Sequence, residues 1–222
     1  MAPSRSTQGS NRIGIDESGK GDYFGPLVIS AVCVTAETEP DLKLMEARDS
    51  KRISDGRILE LAPDIRQLCP HSIVAIGPQR YNELYEKIRN LNRLLAWGHA
   101  RALENLLERV DCSLAISDQF GDERFILNAL LEKGKRVHLV QRPKAEADLA
   151  VAAASILARA EFLMRLKRLS DEVGTTLPKG ASGTVELAAR MVIKKHGKGK
   201  LRAVAKLHFK TTQAILAAAP DA

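Results

Sequence analysis

The sequence lacks any uninterrupted apolar segment close to the ~20 residues that a membrane-spanning helix needs. Its first ten residues are polar and have no apolar centre of the kind found in secretion signals, so we expect residues 1–11 to form a disordered lead. Cysteine is scarce, and Cys33, Cys69 and Cys112 are far apart in sequence among apolar neighbours. This pattern indicates buried thiols in a reducing cytoplasm, and it excludes a disulfide framework or a cysteine zinc site.

Acidic residues are nearly absent from the C-terminal part of the chain. Between Lys179 and Lys210 there are nine lysines and arginines and one acid, Glu186. The rest of the chain, with 25 basic and 26 acidic residues, has a net charge of −1, whereas the whole chain has +7. Such a cluster of basic residues in one part of the chain is typical of a surface that binds a polyanion. A basic helix face that is only solvated is an equally common explanation.

Short β-branched segments alternate with helical patterns along the chain. The segments that predict strands are Ile13–Glu17, Leu27–Thr35, Ser72–Gly77, Ser113–Asp118 and Arg136–Gln141. Apolar spacing predicts helices after Ser54, from Leu91 to Leu106, from about Ala147 to Leu169, and from Val185 to a stop at Gly197. Strands come first and helices last, which predicts an α/β fold: a mixed sheet flanked by helices, with a helical C-terminal extension.

Three further features lie within these elements. Pro63 falls inside the helix that follows Ser54, so we expect that helix to be kinked or split. Trp97 lies in the second helical pattern and is expected in the core. The segment Gly174–Gly183, rich in Gly, Thr, Ser and Lys, predicts the junction before the C-terminal extension.

Two adjacent carboxylates, Asp16 and Glu17, end the first predicted strand, and Gly19-Lys20-Gly21 follows them. Adjacent carboxylates repel each other, so a folded protein that keeps both commonly binds a cation there. Glycines on either side of a lysine let the backbone approach a polyanion closely. Carboxylates for a metal beside open backbone for a phosphate indicate metal-dependent phosphodiester chemistry.

A second predicted strand also ends in an acid, Asp118, which would face Asp16 and Glu17 if the two strands are neighbours. A fourth acid is expected from Glu146 or Asp148, just before a helix that begins with small residues. Converging carboxylates suit Mg²⁺ or Mn²⁺, and two such ions can hold the attacking and leaving oxygens of an in-line displacement. Each acid also has an ordinary explanation as a turn residue, a helix cap or a first-turn acid.

Several segments, in the same order, resemble the type 2 ribonuclease H family. These segments are Asp16–Gly21, Asp49–Ser54, Asp118 and Val151–Arg159. Within that family the ribonuclease HIII branch is the most similar, through Asp22–Pro26, Tyr81–Tyr85, Asn90–Trp97 and Ala205–Lys210. The resemblance extends over roughly residues 13–212, and so many motifs in one order exclude a chance match.

The resemblance implies a ribonuclease H-like catalytic domain over residues 12–173 and a basic helical extension over residues 174–222. It implies an endoribonuclease that hydrolyses the RNA strand of RNA–DNA hybrids with two Mg²⁺ or Mn²⁺ ions and leaves 3′-hydroxyl and 5′-phosphate ends. The family's metal ligands correspond to Asp16, Glu17 and Asp118. Its fourth catalytic acid corresponds best to Glu146, with Asp148 as the alternative.

The resemblance also assigns contacts with the nucleic acid. The loop that contacts the ribose 2′-hydroxyl corresponds to Gly19, Lys20 and Gly21, and Ser50 and Lys51 correspond to phosphate contacts. The HIII branch usually has an extra N-terminal substrate-binding domain, which we expect to be missing because only a dozen residues precede the first strand. Affinity for the hybrid is then expected from the catalytic domain and the basic C-terminal part.

Two alternatives follow for the activity. One is cleavage at single ribonucleotides in duplex DNA, as in the HII branch, although that branch has a tyrosine near its C-terminal substrate site and all three tyrosines here lie in the first half. The other is a protein that binds nucleic acid without cutting it. We expect a monomeric cytoplasmic enzyme that acts on the hybrid duplex and not at a membrane.

Overall fold

The computed structural model describes residues 11–45 and 53–217, in which five strands form one mixed sheet. The strands are β1 (Arg12–Ser18), β2 (Leu27–Val34), β3 (His71–Ile76), β4 (Leu114–Asp118) and β5 (His138–Arg142). Their order is β3-β2-β1-β4-β5, with antiparallel pairs on the β3 side of β1 and parallel pairs on the β5 side. All five predicted strands are present, and β1 lies at the centre of the sheet.

Helices cover both faces of this sheet. In the described ranges they are α1 (Glu39–Leu44), α2 (Asp55–Leu68), α3 (Pro78–Ile88), α4 (Leu91–Leu107), α5 (Glu123–Ala129), α6 (Leu149–Val173), α7 (Gly183–His196), α8 (Leu201–Val204) and α9 (Lys210–Ala217). One core cluster joins Leu27 and Ile29 of β2 to α4, and another joins Val32 and Val34 to α2 and α6. The predicted α/β fold with a helical C-terminal part is confirmed.

The helix α6 packs directly on β1 at Gly14. A Cβ atom at this glycine would lie 2.0 Å from the carbonyl carbon of Ala150 and 2.1 Å from the nitrogen of Val151. The small residues at the start of α6 are buried in this contact. Because the backbones of helix and strand touch here, Gly14 fixes the position of β1 beside α6.

Two local predictions need correction. Pro63 does not split α2, which runs without interruption from Asp55 to Leu68. Its buried side chains pack in the cluster that contains α6, and this burial outweighs the one hydrogen bond that a proline removes. Trp97 is not in the core: it is 40% exposed, whereas Leu94 and Leu95 of the same helix are fully buried.

The scarce residues are placed as follows. Cys33, Cys69 and Cys112 are buried and free, as their apolar neighbours predict. Within residues 11–45 and 53–217, no helix is both long enough and apolar enough to cross a membrane.

The C-terminal part of the chain holds the turn that follows β1. Lys206 is fully buried, and its Nζ donates to the carbonyl oxygens of Asp22 at 2.7 Å, Gly25 at 2.8 Å and Phe24 at 3.4 Å. An ammonium group has three donors and no acceptor, so three carbonyls satisfy it. The backbone of Ala205 also bridges to Phe24. The position of this turn therefore depends on a residue near the other end of the sequence.

Replacing Lys206 with methionine is expected to lower the free energy of unfolding by about 2–4 kcal/mol, because it leaves buried carbonyl groups without donors. Thermal and urea unfolding measure the change. Lys210→Met is the matched control, since Lys210 is exposed on the same segment. A Lys206→Met protein as stable as the Lys210→Met protein would contradict a structural role for the buried ammonium.

Candidate active site

The C-terminal ends of β1 and β4 bring three predicted acids to one cavity. These strands are parallel neighbours that pair from Ile13–Ala115 to Ile15–Ser117, and the same register continued by one residue sets Asp16 opposite Asp118. Asp16, Glu17 and Asp118 all line a cavity of about 610 Å³. Clefts at the carboxyl ends of parallel strands are the usual location of sites in α/β sheets.

The predicted glycine–lysine loop lines the same cavity. Gly19 has a φ of +88°, and a Cβ there would lie 2.2 Å from the carbonyl oxygen of Pro26, so this position requires glycine. A Cβ at Gly21 would meet nothing within 4 Å. Gly19 therefore shapes the loop, whereas the backbone at Gly21 is open to a ligand.

The side chain of Glu17 contacts two residues, His99 and Lys20. Its Oε2 lies 3.0 Å from Nε2 of His99, and its Oε1 lies 3.5 Å from Nζ of Lys20. Burial alone would raise the pKa of Glu17, but the hydrogen bond from His99 and the charges of His99 and Lys20 outweigh it, so the pKa lies below its usual value. Glu17 is therefore an ionised carboxylate with 11% of its side chain exposed.

The two candidates for the fourth acid occupy different surroundings. Asp148 caps α6 by accepting from the nitrogen of Ala150 at 2.8 Å, and it pairs with Arg12 at 2.8 Å. Glu146 lies in a short 3₁₀ turn, Ala145–Ala147, in which the nitrogen of Ala145 donates to Oδ1 of Asp118 at 3.3 Å. Neither side chain lines the cavity. Asp148 already has a structural role. Glu146, by contrast, follows Ala145, whose nitrogen contacts Asp118.

Three charged residues that the sequence did not single out also line the cavity: Asp55, Arg159 and Lys179. Asp55 accepts from Arg159 at 3.3 Å and forms an ion pair with Lys179. Although partial burial opposes it, these contacts lower the pKa of Asp55. Two sequence features could have indicated these residues: Arg159 ends the segment Val151–Arg159 that resembles the family, and Lys179 lies in the predicted junction Gly174–Gly183. Ser50 and Lys51 lie outside the described residues.

The donor chemistry of the cavity suits a divalent metal ion. Three carboxylates on neighbouring strands provide the hard oxygen ligands that Mg²⁺ and Mn²⁺ prefer. In the part of the chain that the structure describes, no three His, Cys, Asp or Glu side chains are already arranged to hold an ion. The carboxylate of Glu17 is directed to His99 and Lys20 instead. The residue types fit a metal, and Oε1 of Glu17 becomes available to one when Lys20 leaves it.

Comparison with known proteins agrees with this chemistry. A family model described as Ribonuclease HII matches residues 13–212. The protein named Ribonuclease HIII from Protochlamydia amoebophila (strain UWE25) is 50% identical over 204 residues, which cover 92% of this chain and 68% of that protein. The solved structure of Bst-RNase HIII in complex with Mn²⁺ has a TM-score of 0.87 at 34% identity, covering 94% of this chain and 70% of that one.

A second solved structure, Aquifex aeolicus RNase H3, has a TM-score of 0.76 at 33% identity, covering 91% of this chain and 74% of that one. The match to the Protochlamydia amoebophila protein covers nearly all of this chain but only about two thirds of that protein. The chain belongs to the ribonuclease HII family, and within that family it is similar to the proteins named ribonuclease HIII.

Proposed function

We propose that this protein hydrolyses the RNA strand of RNA–DNA hybrids with the help of divalent metal ions. The observation that carries the proposal is the cavity where Asp16, Glu17 and Asp118 adjoin the open backbone of the Gly19–Gly21 loop, in a chain of this family. The Mn²⁺ bound to Bst-RNase HIII supports Mn²⁺ or Mg²⁺ as the ion.

In this proposal Asp16, Glu17 and Asp118 hold the metal ions, and Glu146 is the fourth catalytic acid. Two bound ions would supply a hydroxide nucleophile and stabilise the leaving 3′-oxygen, which leaves 3′-hydroxyl and 5′-phosphate ends. Glu146 is preferred to Asp148 because Asp148 is already committed to Arg12 and to the cap of α6. The backbone from Gly19 to Gly21 contacts the 2′-hydroxyl, which is the group that distinguishes RNA from DNA.

Phosphate contacts are proposed for Lys20, Arg159 and Lys179, together with Ser50 and Lys51. In the free protein Lys20 contacts Glu17, and both Arg159 and Lys179 contact Asp55. These carboxylates keep the cations in the cavity until a phosphate replaces them as partners. Each phosphate that these cations neutralise releases counterions from the nucleic acid, so binding is expected to fall steeply as the salt concentration rises.

Part of the C-terminal basic segment forms ion pairs with acids of the protein's own surface. Lys200 pairs with Glu172, and Arg202 pairs with Glu86. Arg190 and Lys194, by contrast, are exposed on α7. We propose that these exposed cations extend the contact with the hybrid beyond the cavity.

We further propose that the protein acts as a monomer in the cytoplasm, where its buried thiols stay reduced.

Two labelled duplexes test the proposed substrate. One contains four or more consecutive ribonucleotides opposite DNA, and the other contains a single ribonucleotide in DNA; each is incubated with Mg²⁺ and then with Mn²⁺. Metal-dependent cutting of the first duplex alone, with 3′-hydroxyl products, is expected. Efficient cutting at the single ribonucleotide would instead favour the HII-like activity. Binding without cutting in either metal would show a binding protein.

A further inference from the structure

His99 connects the two strands that carry the candidate metal ligands. Its ring is fully buried, with Nε2 at 3.0 Å from Oε2 of Glu17 on β1. Its Nδ1 lies 3.1 Å from the hydroxyl of Ser117 on β4, and that hydroxyl lies 3.1 Å from the carbonyl oxygen of Asp118. One imidazole therefore contacts the side chain of one acid and, through Ser117, the backbone of another.

The packing of α4 holds this ring in place. A Cβ at Gly98 would lie 2.6 Å from Cδ1 of Ile29, so glycine at this position allows α4 to approach the sheet closely. The imidazole also contacts the ring of Phe120, with centroids 4.7 Å apart. His99 thus has little freedom to move, and neither of its ring nitrogens lacks a partner.

We infer that His99 and Ser117 position Glu17 for metal binding by holding its Oε2, so that Oε1, which contacts the cavity-lining Lys20, is the oxygen available to a metal. A metal-binding carboxylate is commonly oriented by a hydrogen bond from outside the ligand shell, and loss of such a partner typically costs 10–100-fold in metal affinity or activity. Among the described residues, Oε1 contacts Lys20 at 3.5 Å, which is longer than the 3.0 Å contact of Oε2 with His99 and therefore easier to replace with a metal. His99 does not touch the reacting atoms in this scheme. It is a positioning residue.

The inference rests on the proposed function, and its direct readout is Mn²⁺ binding without substrate, measured by calorimetry or electron paramagnetic resonance. His99→Leu is expected to bind Mn²⁺ about 10–100-fold more weakly than the wild type and to need correspondingly more Mn²⁺ for half-maximal cleavage. His99→Gln, which places an amide donor close to the position of Nε2, is expected to recover part of this loss. Ser117→Ala is expected to shift affinity in the same direction by a smaller factor.

Leu103→Ala is the matched control, because Leu103 is fully buried on the same helix and belongs to the core cluster that α4 forms with β1 and β2. It is expected to lower the melting temperature and leave Mn²⁺ affinity unchanged. If His99→Leu behaves in the same way, the positioning role is overturned and His99 only fills the core. If His99→Leu does not fold, His99→Gln and Ser117→Ala decide by the same criterion.

Asp16→Asn, measured alongside, distinguishes an error in the positioning role of His99 from an error in the assignment of the metal site. Loss of Mn²⁺ binding in Asp16→Asn with wild-type affinity in His99→Leu would overturn the positioning role alone. Wild-type Mn²⁺ affinity in Asp16→Asn would overturn the assignment of the metal site, and the role of His99 with it.

Discussion

Asp16→Asn is expected to cleave an RNA–DNA hybrid at least about a thousandfold more slowly than the wild type. A metal ion provides several kcal/mol of charge stabilisation in the transition state, and about 4 kcal/mol corresponds to a thousandfold in rate. The register of β1 and β4, continued by one residue, sets Asp16 opposite Asp118, and both line the cavity, so Asp16 is a proposed metal ligand. Single-turnover cleavage of a labelled hybrid in Mg²⁺ and in Mn²⁺ measures the loss.

The same variant should fold and bind the hybrid as well as the wild type does. Removing a negative charge from a cavity that receives phosphates reduces repulsion, so binding in the absence of metal is expected to be unchanged or stronger. Asp64→Asn is the matched control, because Asp64 is an exposed acid on α2 away from the cavity lining. An Asp16→Asn protein that folds, binds and cleaves at the wild-type rate would contradict the assignment of Asp16.

Gly14→Ala is expected to give the largest loss of stability. The added Cβ would lie within 2.0–2.3 Å of three backbone atoms of α6, so the helix and β1 must separate. Backbone cannot move aside as a flexible side chain does, and overpacking of this kind costs about 3 kcal/mol or more. For a protein of this size that corresponds to a decrease of roughly 6–12 °C in melting temperature.

Gly56→Ala is the matched comparison for this prediction. Gly56 lies in the first turn of α2, and a Cβ there would meet nothing within 4 Å. Alanine is the better helix former, so this change is expected to be neutral or to stabilise the protein by up to about 1 kcal/mol. Differential scanning calorimetry of both variants tests the contrast. Equal melting temperatures would show that α6 is not packed on β1 as described.

The sequence was most informative where the signal is local. Each strand that carries a candidate ligand is a short apolar segment with an acid at or near its end, and the sequence pattern singled out both Asp16 and Asp118. Gly19 was predicted from its place beside Lys20, and its positive φ explains why glycine is needed. That Asp16 and Asp118 line one cavity depends on the pairing of β1 with β4, which the sequence alone does not determine.

The contacts that the sequence did not reveal join distant parts of the chain. His99 lies 82 residues from Glu17, and Lys206 lies 184 residues from the carbonyl of Asp22 that it binds. A single histidine or lysine in a helical or basic segment carries no periodic signal, so only the fold shows these contacts. Trp97 was misplaced for a related reason: the buried stripe of α4 follows Leu94, Leu95 and Gly98, and Trp97 falls on its edge.

The most direct test of the account is the location of Mn²⁺ in crystals of the wild-type protein grown with that ion. Anomalous scattering at the manganese edge identifies the ion without reference to its ligands. The proposed active site predicts a peak within about 2.2 Å of carboxylate oxygens from Asp16, Glu17 and Asp118, and the absence of this peak from Asp16→Asn crystals. Mn²⁺ bound elsewhere, with these carboxylates left uncoordinated, would contradict the proposed active site.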